Sequence, residues 1–326
     1  MIKVEWFYWL CGFMFLFGAV LTLRDSANSK RHGSAAFWGL LGISFIYGTF
    51  VVNKTAPAWI LGLVVIGMTV LVGTRQLATG TTGSATIAEK TAAAARFGNR
   101  LFIPPLIIPV GAVIFAVVLA KVRIGDKPLL ETGMDTLIGL GVASIVAVAI
   151  GVVMLRPKSP LVPLTDGHRL LEVIGWAAIL PQMLATLGGL FNVAGVGHAV
   201  GTITKAILPS GSLFGSVVVY CVGMAVFTVI MGNAFAAFPI MTAAIGYPVL
   251  VQNFHGNVAA VFAIGMLAGY CGTLVTPMAA NFNLVPVALL DIKDRYGVIK
   301  AQIPTAIPLL FCNIALMYFL AFGVLK

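Results

Sequence analysis

Two segments of this chain place Asn and Thr beside glycine and proline in otherwise apolar surroundings. The first, MGNAFAAFPIMTAAIGYP at residues 231–248, carries Gly232, Asn233, Ala234, Pro239, Thr242 and Gly246. The second, GYCGTLVTPMAANFNLVP at 269–286, carries Gly272, Thr273, Thr276, Pro277, Asn281 and Asn283. Proline removes a backbone donor and fixes φ, while glycine lets the chain turn. A helix interrupted in this way frees backbone N–H and C=O groups, and the half-helix that follows aims the positive end of its dipole at the break. Free N–H groups suit an anion and unwound carbonyls suit a cation. The chemistry to expect is therefore recognition by backbone dipoles with neutral Asn and Thr beside them.

Other residue types offer less. The ten acidic residues all fall in loops or within about a turn of an expected helix end, so no carboxylate marks a proton relay in the apolar core. His198 and His255 are isolated and read as hydrogen-bonded or interface residues. Cys11, Cys221, Cys271 and Cys312 lie inside apolar runs without CxxC or metal spacing and read as small packing residues. The run LGGLFNVAGVG at 187–197, with Asn192, reads as close helix packing. No Walker A, HExxH or GxSxG pattern occurs, so neither an enzyme nor a cofactor or metal site is expected.

The elements that must position the two segments follow from composition. Of the 326 residues, 60% are hydrophobic and only 9% charged, far below the roughly 25% charge of soluble domains. Apolar runs near 6–23, 34–52, 57–73, 101–120, 134–155, 170–191, 212–231, 257–271 and 301–322 each predict a helix, because hydrocarbon admits only helices and closed barrels and nothing here alternates like a barrel strand. Stretches 190–208 and 232–252 are apolar yet broken, and predict short, tilted or re-entrant helices. The expectation is an all-α polytopic membrane protein of about 9–10 transmembrane helices, with a re-entrant hairpin at about 232–252 and an unwound helix at about 257–290. The Pro-rich, charged break after Arg156 divides it into residues 1–156 and 157–326.

The N-terminal run reads as a retained first crossing with Trp6, Tyr8 and Trp9 at an aromatic belt. The net charge of +10 reads as positive-inside bias; no basic helix interleaved with aromatics suggests nucleic acid. In the first half one set of alternate loops holds ten basic residues and the other five, which favours an outside N-terminus.

Residues from about 170 to 320 resemble the second half of the ion-transporter superfamily of carboxylate permeases. GNAFAAFPIMTAAIG resembles their re-entrant hairpin with a polar tip, GTLVTPMAANFNLVP their unwound helix with a T-P and Asn signature, and DIKDRYGVIK the charged loop before their last helix. The whole chain resembles a narrower bacterial family, formerly of unknown function, described as one subunit of a two-protein 5-oxoproline (pyroglutamate) transporter. The resemblance implies a multi-pass protein of the bacterial inner membrane, a second and smaller membrane subunit as partner, and a small carboxylate as substrate. It implies that Asn233, Ala234, Thr242, Thr273, Thr276, Pro277 and Asn281 line a substrate or ion site, and it leaves open whether sodium or a proton is the coupling ion. Superfamily tips usually carry Ser-Asn-Thr, whereas Gly232-Asn233-Ala234-Phe235 keeps only the Asn. The first half has no matching hairpin and T-P pair, which is why a partner chain is expected to supply the second repeat. Two other readings compete: the membrane component of an ATP-driven importer, with AEKTAAAARFGN at 88–99 as a coupling helix, and a non-transporting scaffold subunit.

Overall fold

The computed structural model describes residues 1–80, 86–157, 159, 161–199, 202, 212–290 and 292–323. The chain forms two compact units, Met1–Gly175 and Trp176–Lys326.

In the first unit, α1 (Glu5–Arg24) packs on α2 (Arg31–Val52), and α3 (Trp59–Gly73) packs on α2. Phe15 stacks on Trp38 at 5.9 Å between ring centroids, in the seam between α1 and α2. A surface helix, α4 (Ile87–Phe97), opens with a capping box in which Thr86 and Glu89 satisfy each other's backbone N–H groups. Then α5 (Ile103–Val117) and α6 (Asp135–Leu155) form a second pair, joined by a short hairpin of β1 (Arg123–Ile124) and β2 (Lys127–Pro128). The unit closes with α7 (Val162–Ile174), whose His168 and Glu172 reach Thr22 on α1. That contact holds α7 in the first unit and moves the boundary to Gly175, beyond the division drawn after residue 156.

The second unit begins with α8 (Leu180–Val193). The crossing expected at 170–191 is in fact two helices, because Gly175 adopts φ +56 and ends α7. Of the stretch 190–208, α8 ends at Val193 and Gly195 follows with φ +71, while residues 200, 201 and 203–208 and the side chain of Asn192 lie outside the described residues. Next come α9 (Leu213–Met231), α10 (Ala234–Met241), α11 (Val258–Leu274), α12 (Ala280–Leu289) and α13 (Gly297–Leu316). Ser212, Asn233 and Asn257 each cap the following helix by accepting from a backbone N–H two or three residues on. Beyond Met241 the helix does not stop; it continues through Asn253 in the wider π form, with Pro248 inside that stretch. The core of this unit is Tyr220, Met224, Ile245, Leu250, Val261 and Met317, on α9, the α10 continuation, α11 and the end of the α13 segment.

Among the described residues, seven helices are long and apolar enough to cross a membrane, and two shorter apolar helices, Trp59–Gly73 and Val258–Leu274, accompany them. Large apolar side chains such as Phe13, Leu63, Val113, Val153 and Phe311 point outward from these helices, which suits hydrocarbon rather than water.

Candidate functional site: the junction of two helix breaks

The first break occupies two residues. Gly232 ends α9 in the left-handed conformation, with φ +75 and ψ 3, and its N–H bonds the Thr228 carbonyl at 2.7 Å. Asn233 returns to extended backbone and caps α10, its Oδ1 accepting from the Phe235 N–H at 2.7 Å. The chain reverses there. Tyr220 on α9 meets Thr242 across the pair with 3.2 Å between hydroxyls, and a Cβ on Gly223 would stand 2.6 Å from the Met241 methyl. The hairpin is thus built from α9 and the Ala234–Asn253 helix, each of crossing length, with its polar tip at 232–233. It is not a short dip confined to 232–252. Pro239 lies inside α10 and makes no turn.

The second break runs from Val275 to Ala279 and is held by side chains on both sides. Thr276 Oγ1 donates to the Val229 carbonyl on α9 at 2.9 Å and accepts from the Met278 N–H at 3.2 Å. The Asn283 amide donates to the carbonyls of Thr273 and Thr276 at 2.8 and 2.7 Å, spanning the break from α12 back to α11. Two carbonyl acceptors require the NH2 end of the amide, so Oδ1 is the atom that remains without a partner. Thr273 Oγ1 donates to its own helix at the Tyr270 carbonyl, 2.6 Å away.

The breaks meet. A Cβ on Gly232 would lie 2.6 Å from the Met278 carbonyl oxygen, so the tip rests directly on the backbone of the second break. Parallel packing of α9 on α11 brings them together: a Cβ on Gly272 would lie 2.2 Å from the Ala225 carbonyl oxygen, and one on Gly269 3.1 Å from the Ala234 methyl. The N-termini of α10 and α12 therefore face one junction. Asn233 caps α10, while no side chain caps α12. Three buried oxygens on these elements, Thr228 Oγ1, Asn281 Oδ1 and Asn283 Oδ1, have no hydrogen-bond partner among the described residues. Asn233, Thr273, Thr276 and Asn283 are all buried, whereas Pro277 and Met278 are exposed.

The structure thus brings together Gly232, Asn233, Ala234, Gly272, Thr273, Thr276 and Asn283, with Pro277 at the rim and Asn281 in the first turn of α12. Thr242 does not join them. It lies nine residues along its helix, about 13 Å from the tip at 1.5 Å per residue, where it hydrogen-bonds Tyr220. Gly246 is likewise remote and leaves room for the Tyr220 ring, 3.0 Å from where its Cβ would be. Among the described residues, no cluster of three or more His, Cys, Asp or Glu could hold a metal ion.

Two features escaped the reading of the sequence. One is Thr228, whose hydroxyl is buried at the α9–α11 contact without a partner. The other is a buried Thr22–His168–Glu172 network in the first unit. Glu172 sits near a helix end, as expected of every acidic residue, yet its side chain is only 3% exposed. The i, i+4 spacing of His168 and Glu172 was the available signal.

Helices of this length and polarity, with a neutral junction of two breaks inside, define an all-α, multi-pass membrane protein. The chain belongs to the family described as protein of unknown function (DUF979), whose model matches residues 5–322. No curated protein and no solved structure matches it.

Proposed function

We propose that this chain is a subunit of a secondary transporter for a small carboxylate, with 5-oxoproline as the substrate to test first, in the bacterial inner membrane. The observation that carries the reading is the meeting of two helix N-termini, those of α10 and α12, at the Gly232–Met278 contact. Among the described residues no charged side chain belongs to this junction, so a carboxylate there is stabilised by the two dipole ends and their free N–H groups. The partnerless oxygens of Thr228, Asn281 and Asn283 suit a ligand N–H or a co-bound cation, because buried acceptors left unpaired cost free energy. The buried state of Asn233, Thr276 and Asn283 corresponds to a closed site. A second, smaller membrane subunit completes it, since the described residues of the first unit contribute no equivalent pair of breaks.

The test is uptake of labelled 5-oxoproline into liposomes under an imposed ion gradient without ATP, with this chain alone and with its partner. Uptake requires both chains and is lost in Asn233→Ala and Thr276→Val. Unchanged uptake in both variants removes the junction from the mechanism, full uptake by this chain alone removes the partner, and strict ATP dependence favours the importer reading.

Burial of the junction also supports a second reading, a packing node in a non-transporting subunit. The two differ in ligand linkage. A binding site stabilises the folded chain by about 2.7 kcal/mol at a ligand concentration of 100 Kd, whereas a packing node leaves unfolding unchanged by 5-oxoproline.

A further inference from the structure

The first unit holds a titratable network that the junction does not use. Thr22 Oγ1, on the last turn of α1, stands 2.8 Å from His168 Nε2 and 3.3 Å from Glu172 Oε1, both on α7. His168 Nε2 and Glu172 Oε1 are themselves 3.6 Å apart, and the two side chains are 8% and 3% exposed. A hydroxyl has one hydrogen to give and lone pairs to receive. Both contacts of Thr22 are satisfied together when Nε2–H donates to Oγ1 and the hydroxyl hydrogen goes to Oε1. The mirror arrangement, Oε1–H to Oγ1 and the hydroxyl hydrogen to Nε2, satisfies them equally. Passing between the two breaks the Nε2–H bond, forms the Oε1–H bond and exchanges the hydroxyl hydrogen, with no change in oxidation state.

Both ends of this chain of atoms lead onward. Glu172 Oε2 accepts from the Gly80 N–H at 2.9 Å, and a Cβ on Gly80 would stand 2.6 Å from both Glu172 Oε2 and Asp25 Oδ2. The two carboxylate oxygens are therefore no further apart than twice that distance. At the other end, His168 lines a cavity of about 260 Å³ between α1 and α7, with Cys11, Met14, Gly18 and Leu164 on its walls. The charged groups on the elements packed here are few. Arg24 is exposed on α1; Asp25 also holds the Ala27 N–H; Lys30 donates to the Arg75 carbonyl; Arg31 and His32 open α2; Asp166 and Arg169 pair with each other on α7 at 3.6 Å.

We propose that His168, Thr22 and Glu172 form a proton-binding site, in which one proton is exchanged between imidazole and carboxylate through the hydroxyl, with Asp25 at one end and the α1–α7 cavity at the other. The inference stands whether or not the junction of the second unit transports.

The experiment is infrared difference spectroscopy of the full chain in lipid vesicles between pH 8 and pH 5. The wild type develops the C=O stretch of a buried, protonated carboxyl, and Glu172→Gln loses it. His168→Gln and Thr22→Val each shift the midpoint of that band, because each removes a group through which the proton is exchanged. Circular dichroism shows whether each variant is folded; should Glu172→Gln not fold, the two midpoint shifts carry the test. A band that survives in Glu172→Gln, or midpoints in His168→Gln and Thr22→Val that coincide with the wild type, overturns the proposal.

Discussion

Replacing Gly232 with alanine tests the geometry of the junction directly. Two costs add at this position. The backbone has φ +75, and holding a non-glycine residue in the left-handed region costs roughly 1–2 kcal/mol. The new methyl would also stand 2.6 Å from the Met278 carbonyl oxygen and 2.7 Å from its carbon. Because that neighbour is backbone, the second break must move, at about 1–3 kcal/mol, as for overpacking elsewhere. The expected loss is thus about 2–5 kcal/mol. Gly195→Ala is the control within the same unit, with φ +71 and no atom of the described residues within 4 Å of the new Cβ; it carries the backbone cost alone. Equilibrium unfolding of both variants in mixed micelles, followed by circular dichroism, separates the terms. Equal losses for the two would show that the tip does not rest on Met278, and the site built on that contact would fall with it.

Thr276→Val removes two partly buried hydrogen bonds, to Val229 and from Met278, and should destabilise by about 1–3 kcal/mol; Thr276→Ser, which keeps the hydroxyl, should recover most of it in the same unfolding assay. Asn283→Ala strips the carbonyls of Thr273 and Thr276 of their shared donor, so amide exchange across 275–279 should rise by at least tenfold, for a loss of about 1.4 kcal/mol or more. The Lys300 ammonium, with the Tyr296 N–H beside it, holds the exposed Asp294 carboxyl below the usual carboxylate range. Its favourable contribution is present at neutral pH and lost as pH falls through that lowered value. Lys300→Met should return the titration of Asp294, read by NMR, towards the ordinary range, and more salt should have the same sense.

The tip at Gly232–Asn233 was legible because glycine past a helix end and Asn at the next N-cap are local signals that depend on no distant contact. Pro239 misled, since a proline in an apolar run is equally at home inside a helix that can change pitch, as this one does after Met241. The role of Asn283 as a clamp was invisible: its two acceptors are set by how far the chain unwinds at 275–279, not by spacing. The division of 170–191 at Gly175 was hidden by composition, because the positive φ of Gly175 that ends α7 and the contact of α7 with Thr22, 146 residues earlier, leave no mark on hydropathy. Glu172 could be placed near a helix end from sequence, but its burial depends on Gly80, whose want of a side chain lets the backbone come down over the carboxylate.

The neutrality of the junction also has an electrical meaning. The residues that hold Asn233, Thr276 and Asn283 in place carry no formal charge on which the membrane voltage could act. Under the proposed function, an anion moved to the junction would cross part of a field that is worth about 2.3 kcal/mol per elementary charge per 100 mV over the whole membrane. Loading alone would then be opposed or driven by voltage according to which face it comes from, and a co-bound cation would cancel that dependence. If the chain transports as proposed, the current per molecule carried would be set by the cargo and its companion ions, with no formal gating charge contributed by Asn233, Thr276 or Asn283.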